Sequence, residues 1–195
     1  CCPVGAYYAE GFAPTKIYVE DKYVRAVPGG VGNAKTAGNY AASVKAQVEA
    51  HDKGYTQVLW LDAVERRYIE EVGTSNIFFL IDGELITPPL EGSILPGITR
   101  DSVLQLAYDW GYQVSERRIT IDEVMAASKN GTLQESFGTG TAAVISPVGE
   151  FCYRDQHVQI NGGTTGPLAK RLFDELQAIQ FGDQEDPHKW RVRVS

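Results

Sequence analysis

Lys35 is a single amine in a run of small residues, Gly29-Gly30-Val31-Gly32-Asn33-Ala34-Lys35-Thr36-Ala37-Gly38-Asn39-Tyr40. Such neighbours let a planar ring or a phosphate come close to the amine. Two chemistries use a lysine of this kind. In one it is a point charge on a nucleotide phosphate. In the other its nitrogen joins an aldehyde cofactor as a Schiff base.

The nucleotide reading has two supports. Gly29 to Thr36 misses the pattern G-x-x-x-x-G-K-[ST] by one residue, and Val58-Leu59-Trp60-Leu61-Asp62 resembles an apolar strand ending in a magnesium-holding Asp. Against it, Ala34 puts a Cβ where the loop needs glycine, and Pro28 interrupts the strand that should feed the loop. The Schiff-base reading accounts for more of the chain. Pyridoxal phosphate needs a lysine, a carboxylate for its ring nitrogen, a donor for its phenolate oxygen and an N–H-rich cradle for its phosphate. Lys35, Glu71, Tyr40 and the segments at Ile98-Thr99 and Thr139 to Ala142 offer one candidate for each. Each also has a plainer role: Lys35 as a solvated helix-start lysine, Tyr40 as core packing and Glu71 as a surface charge beside Glu70. Thr99 and Thr141 could serve as a helix cap and a turn residue.

The elements that must position these residues are legible in the spacing. Ile17-Tyr18-Val19 and Val24 to Val27 read as strands. Apolar or small residues at Ala37, Tyr40, Ala41, Val44 and Val48 predict a helix closing at Gly54, with Lys35 just before its N-terminus. Gln57 to Leu61 is a buried strand, and Ile77 to Ile81, Asp82-Gly83 and Glu84 to Thr87 form a tight hairpin. Leu95 to Asp101 leads into a helix marked by Val103, Leu106, Ala107 and Trp110 and closed by Gly111; its first turn offers free N–H groups to an anion. Gln113 to Arg117 is a strand. Thr120 and Glu123 make a capping box for a helix to about Ser128. Leu133 to Phe137 and Ala142 to Val148 are strands around a turn at Gly138-Thr139-Gly140-Thr141. Phe151 to Tyr153 and Val158 to Ile160 flank a turn at Asp155-Gln156. A last helix starts at Pro167 with Leu168, Leu172, Leu176 and Ile179 on one face, and Trp190 to Ser195 closes as an edge strand. Hairpins mixed with helices predict a mixed α/β or α+β domain.

With 195 residues, 43% of them hydrophobic and 22% charged, the chain suits one globular domain with a full core. Its net charge of −7, with scattered basic residues, excludes a nucleic-acid surface and an anionic-membrane surface. No apolar run is long enough to span a bilayer. Cys1, Cys2 and Cys152 fit neither a disulfide framework nor a metal site, which gives a cytoplasmic expectation and no metal. The opening Cys1-Cys2-Pro3 reads as the interior of a longer protein.

Taken together, several segments resemble the branched-chain amino acid aminotransferases, fold-type IV (class IV) pyridoxal phosphate enzymes. They are Cys2 to Tyr7, Gly29 to Tyr40, Glu71 to Asn76, Leu95 to Arg100, Gly138 to Ala142 and Ile179 to Gly182, in the family's order. The resemblance covers essentially the whole chain but starts at the family's interdomain segment. It implies a connecting segment at 1–14 and a pyridoxal-phosphate-binding large domain at 15–195, with mixed sheets in a pseudobarrel. It further implies Lys35 as the Schiff-base lysine and proton-transfer base, Glu71 at the pyridine nitrogen and Tyr40 as donor to the phenolate oxygen. Ile98 N–H, Thr99 and Thr141 would hold the phosphate and Leu95 would pack on the ring. Thr74 and the N–H groups of Ala142 and Ala143 would position the substrate. The implied reaction is reversible ping-pong amino transfer between leucine, isoleucine or valine and 2-oxoglutarate, with the matching 2-oxo acids and glutamate as partners, in a homodimer. Ala37 stands where the family often has Gly. The CxxC of mammalian members is replaced by Ala143 and Ser146. Alternatives are an inactive cofactor-binding fragment, a D-amino acid aminotransferase or an aminodeoxychorismate lyase, and more remotely the nucleotide binder.

Overall fold

The computed structural model describes residues 11–192 and residue 194. Among them a nine-stranded sheet carries four α-helices. Strand β1 (Thr15–Glu20) lies in parallel between β2 (Gln57–Leu61) and β8 (Val144–Tyr153), and β3 (Ile69–Val72) closes that side antiparallel to β2. From the first half of β8 the sheet continues through β7 (Leu133–Gly140), β4 (Asn76–Ile81), β5 (Glu84–Thr87) and β6 (Gln113–Glu116). The second half of β8 pairs with β9 (Gln156–Gln159) as well as with β1.

Most strands are buried on both faces, so their side chains divide by parity. On β4, Ile77 and Phe79 join one cluster with Leu59, Leu61, Phe151 and the apolar side of α3 (Ile121–Lys129), whereas Phe78 and Leu80 join another. That second cluster contains Val103 and Leu106 of α2 (Ile98–Asp109) and Leu168, Leu172, Leu176 and Ile179 of α4 (Pro167–Phe181). The opposite face of β2, at Val58 and Trp60, packs against Ala46 and Ala50 of α1 (Ala37–Asp52). Covering both faces of the sheet with helices is the layered solution expected of mixed strands and helices.

The helix starts follow the sequence signals. Pro167 occupies the first turn of α4 and Gly182 ends it in the left-handed region at φ 87°. The Thr120 side chain accepts from Glu123 N–H at 3.0 Å. Asp82 and Gly83, at φ 50° and 80°, make the two-residue β4–β5 turn.

Four expectations are corrected. Val24 to Val27 forms no strand, because both edges of β1 are already paired and Arg25 turns inward to hold loop carbonyls. Gly138 to Gly140 is not a turn but the end of β7, paired with Asn76, Ile77 and Ser146; the turn is Thr141 to Ala143. Small residues are required there by packing, since a Cβ on Gly138 would meet Val72 at 3.0 Å. Strand β8 runs unbroken from Val144 to Tyr153, and its turn to β9 is Arg154-Asp155, one residue earlier than expected. Residues 190–192 form no edge strand; His188 instead stacks on Trp190 at 4.5 Å and contacts Asp109. Arg193 and Ser195, and residues 1–10 of the connecting segment expected over 1–14, lie outside the described residues.

Candidate active site

A cavity of about 530 Å³ opens where the Lys35 loop, the segment before α2 and the β7–β8 turn meet. Lys35, Tyr40, Thr74, Leu95, Ile98, Thr99, Thr141, Ala142 and Ala143 all line it. Glu71 stands just behind, in a narrow recess shared with Tyr40, Thr74 and Leu95. Every site residue of the Schiff-base reading is therefore at this one place.

Lys35 is held by a loop and not by a helix. Thr36 is the N-cap of α1, and Asn39 ties the loop down through its side-chain amide, bonding Val31 O at 2.8 Å and Ala34 O at 3.2 Å. The Lys35 amine is exposed to the cavity and stands 3.4 Å from the Tyr40 hydroxyl. On the opposite wall, α2 begins after Gly97 with no side-chain cap, so its first-turn N–H groups are available to an anion. Asn76 fixes that start by donating to Leu95 O at 2.9 Å. Gly97 is required beside it, because a Cβ there would fall 2.1 Å from Asn76 Oδ1. The Thr141 to Ala143 turn ends at Val144, which is held at φ 57°, a strained conformation for a β-branched residue.

Glu71 is 2% exposed on β3, beside Trp60 of β2. Its Oε1 accepts from Leu95 N–H at 2.7 Å and from Arg25 Nη2 at 3.2 Å. Burial pushes its carboxyl up to about 7 despite the opposing pull of Arg25 and the Leu95 amide. An acid in this state is ready to gain a cationic or proton-donating partner. Sequence reasoning missed β3 and, with it, Arg25, Ser75 and Asn76. Two adjacent buried glutamates hide a strand, and no local pattern signals that Arg25 contacts Glu71, 46 residues away.

The Asp of the nucleotide reading is elsewhere. Both carboxylate oxygens of Asp62 accept backbone N–H groups, from Val64 and Glu65 on one and Arg67 and Tyr68 on the other. Burial pushes its carboxyl up, but these four bonds outweigh it and hold the group below its usual range. Asp62 opens onto a separate small cavity with Pro28 and Arg118, so it is a loop anchor and no metal ligand facing Lys35.

A planar cofactor with an aldehyde, a ring nitrogen and a phosphate fits this arrangement: amine on one wall, buried carboxyl behind, uncapped helix start opposite. The family described as class IV amino-transferases matches residues 6–151, and the chain belongs to that family. Branched-chain-amino-acid aminotransferase 2 of Bacillus subtilis is 60% identical over 193 residues, covering 99% of this chain and 53% of its own length. A probable branched-chain-amino-acid aminotransferase of Staphylococcus aureus is 58% identical, covering 98% of this chain and 54% of its own length. The chain thus spans about half the length of the curated relatives it matches. Among solved structures, the Escherichia coli branched-chain amino acid aminotransferase superposes with a TM-score of 0.84 at 33% identity, covering 100% of this chain and 60% of that one. Another branched-chain amino acid aminotransferase, solved with pyridoxamine 5'-phosphate, gives 0.81 at 33% identity, with 98% and 59% covered.

Proposed function

We propose that this chain is the cofactor-binding part of a branched-chain amino acid aminotransferase that uses pyridoxal phosphate. In this reading residues 15–195 form the cofactor-binding domain, and 1–14 connect it to the rest of the enzyme. The observation that carries the proposal is the convergence of the Lys35 amine, the buried Glu71 carboxyl and the uncapped start of α2 on one cavity. The relatives' names support branched-chain amino acids, that is leucine, isoleucine and valine, as the substrate class; 2-oxoglutarate as amino acceptor is part of the proposal.

Pyridoxal phosphate, when bound, supplies an aldehyde for the amine and a ring that delocalises the electron pair left at the substrate Cα. The chain's residues supply the rest. Lys35 would hold the cofactor through its amine and would carry the proton away from the substrate Cα. Tyr40 donates to the phenolate oxygen next to that amine. Glu71 holds the proton at the ring nitrogen in a dry recess, where a carboxylate interacts more strongly than in water. The amide of Ile98, the hydroxyls of Thr99 and Thr141 and the α2 dipole bind the phosphate, and Leu95 packs on the ring. Thr74 would position the substrate, and the N–H groups of Ala142 and Ala143 would bind its carboxylate.

We further assign the working form to a cytoplasmic homodimer. A cytoplasmic site suits a chain with three cysteines and no disulfide or metal spacing. In favour of a dimer, α1 buries Asn39 and Ser43 while leaving Val44 and Val48, neighbours at i and i+4, 54% and 52% exposed. Sedimentation of the full-length enzyme with and without Val44→Lys tests the assembly.

The function is tested by adding pyridoxal phosphate to the purified chain, reducing with borohydride and mapping the label. Label on Lys35 is the expected result. A second arm adds leucine to the full-length enzyme, where conversion of the cofactor to its amine form is expected. Label on another lysine, or none on a folded chain, would overturn the assignment.

A further inference from the structure

We infer that Arg25 is a positioning residue for the cofactor site: its one guanidinium ties the Lys35 loop, Glu71 and the segment leading into α2 together, and sets the charge that Glu71 presents to the cofactor ring. The inference rests on the pyridoxal phosphate reading above.

Arg25 is 7% exposed and uses the same Nη2 for three acceptors. These are Gly32 O at 3.0 Å, in the glycine loop before Lys35; Glu71 Oε1 at 3.2 Å, on β3; and Ser93 O, two residues before Leu95. Two carbonyl oxygens and a carboxylate converging in a buried place repel one another unless a cation sits among them. The convergence is close: a Cβ on Gly32 would fall 2.4 Å from Ser93 O and 2.6 Å from the Ala26 Cβ. Ser93 continues the contact on its far side, where its hydroxyl donates to Glu70. Three parts of the cavity wall that are remote in sequence are thus fixed relative to one another by a single side chain.

The electrostatic role follows from the same geometry. Charged groups acting on Glu71 are Arg25, the adjacent Glu70 and Lys35. Arg25 is the cation in direct contact, so it favours the ionised form of Glu71 that pairs with a protonated ring nitrogen, and the site as a whole keeps one more positive charge than the Glu71 and ring pair alone. Loss of that charge favours the protonated form of any group titrating nearby, the Lys35-linked nitrogen included.

The test uses the full-length enzyme loaded with pyridoxal phosphate and follows the pH titration of its visible absorption. Arg25→Gln keeps amide donors for the Gly32 and Ser93 carbonyls but removes the charge. Its midpoint is expected to rise by about half a pH unit or more. Arg25→Lys keeps the charge but not the fork, so its midpoint is expected to stay at the wild-type value while cofactor affinity falls about tenfold. A merely structural Arg25 would lower affinity and melting temperature in both variants with neither midpoint moving, and that outcome overturns the inference. If Arg25→Gln does not fold, the neutral Arg25→Met takes its place: a raised midpoint supports the inference, and an unmoved one overturns it. Absence of a Lys35-linked absorption in the wild type is a separate outcome that sinks the cofactor reading itself, and this inference with it.

Discussion

The Lys35 amine lies 3.4 Å from the hydroxyl of Tyr40, with its nitrogen 5.7 Å from the centre of the same ring. The two residues are five apart, on either side of the α1 N-cap, so the loop-to-helix junction itself sets the distance. An amine and a hydrogen-bonding hydroxyl are therefore paired before any ligand arrives, the pre-organisation that the proposed covalent role of Lys35 needs.

Replacing Lys35 by Ala removes the amine without disturbing a buried contact, since Lys35 is exposed. The expected outcome is a folded chain with unchanged melting temperature and no borohydride-reducible cofactor. Mass mapping of the reduced protein checks it.

Glu71 gives the cofactor-free chain a pH dependence of stability. Its carboxyl is raised from an ordinary 4.5 to about 7, so the folded state binds the proton more tightly than the unfolded one. The contribution is fully present below about 4.5 and is lost as pH rises through about 7. Melting temperatures of wild type and Glu71→Gln across that interval should converge at low pH, and only the wild type should show this decline as pH increases. Parallel curves would show that Glu71 carries no such proton.

Gly32→Ala drives a methyl group into Ser93 O, a backbone atom that cannot swing aside. Overpacking of this kind costs about 2 kcal/mol or more. The loss, read from urea unfolding, should be accompanied by weakened cofactor retention, because the displaced loop carries Lys35.

Glu135 acts far from the cavity. Its two oxygens accept the N–H groups of Leu168 and Ala169 at 2.8 and 2.9 Å, capping α4 from strand β7. Glu135→Ala leaves two buried donors without partners and a void, a loss of about 3 kcal/mol. Cofactor affinity per folded molecule should not change; a parallel loss of affinity would mean that α4 and the cavity are coupled.

Much of this was legible in the sequence where the signal is local. The existence of helices α1 to α4 follows from apolar spacing and from caps such as Thr120 with Glu123 and Pro167, but on α1 the spacing marked the wrong face: Val44 and Val48 are exposed, and Asn39, Ser43, Ala46 and Ala50 are buried. The β4–β5 hairpin follows from Asp82-Gly83. What escaped is non-local. Gly138 to Gly140 is as small as a turn, but its size is dictated by Val72 and Ser75 packing across it. Strand β3 shows no alternation because all four of its residues are buried, Glu70 and Glu71 among them. The candidate site residues were identified as a set through a family resemblance, since nothing in the chain's own periodicity brings Glu71 to Tyr40. Arg25 has no such cue in its neighbourhood.

Strand β1 takes its two parallel neighbours from opposite ends of the sequence: Ile17 aligns with Gln57 on one side and with Phe151 on the other. As the chain leaves the ribosome, the first pairing can form early. The second waits until most of the protein has been made, so the free margin of β1 is an unpaired edge for much of synthesis. The wall bearing Thr141 to Ala143 is made equally late, since it joins β7 to β8. Closure of the cavity therefore waits until translation has passed β8, and until then the open margin of β1 depends on whatever shields a bare strand from its neighbours.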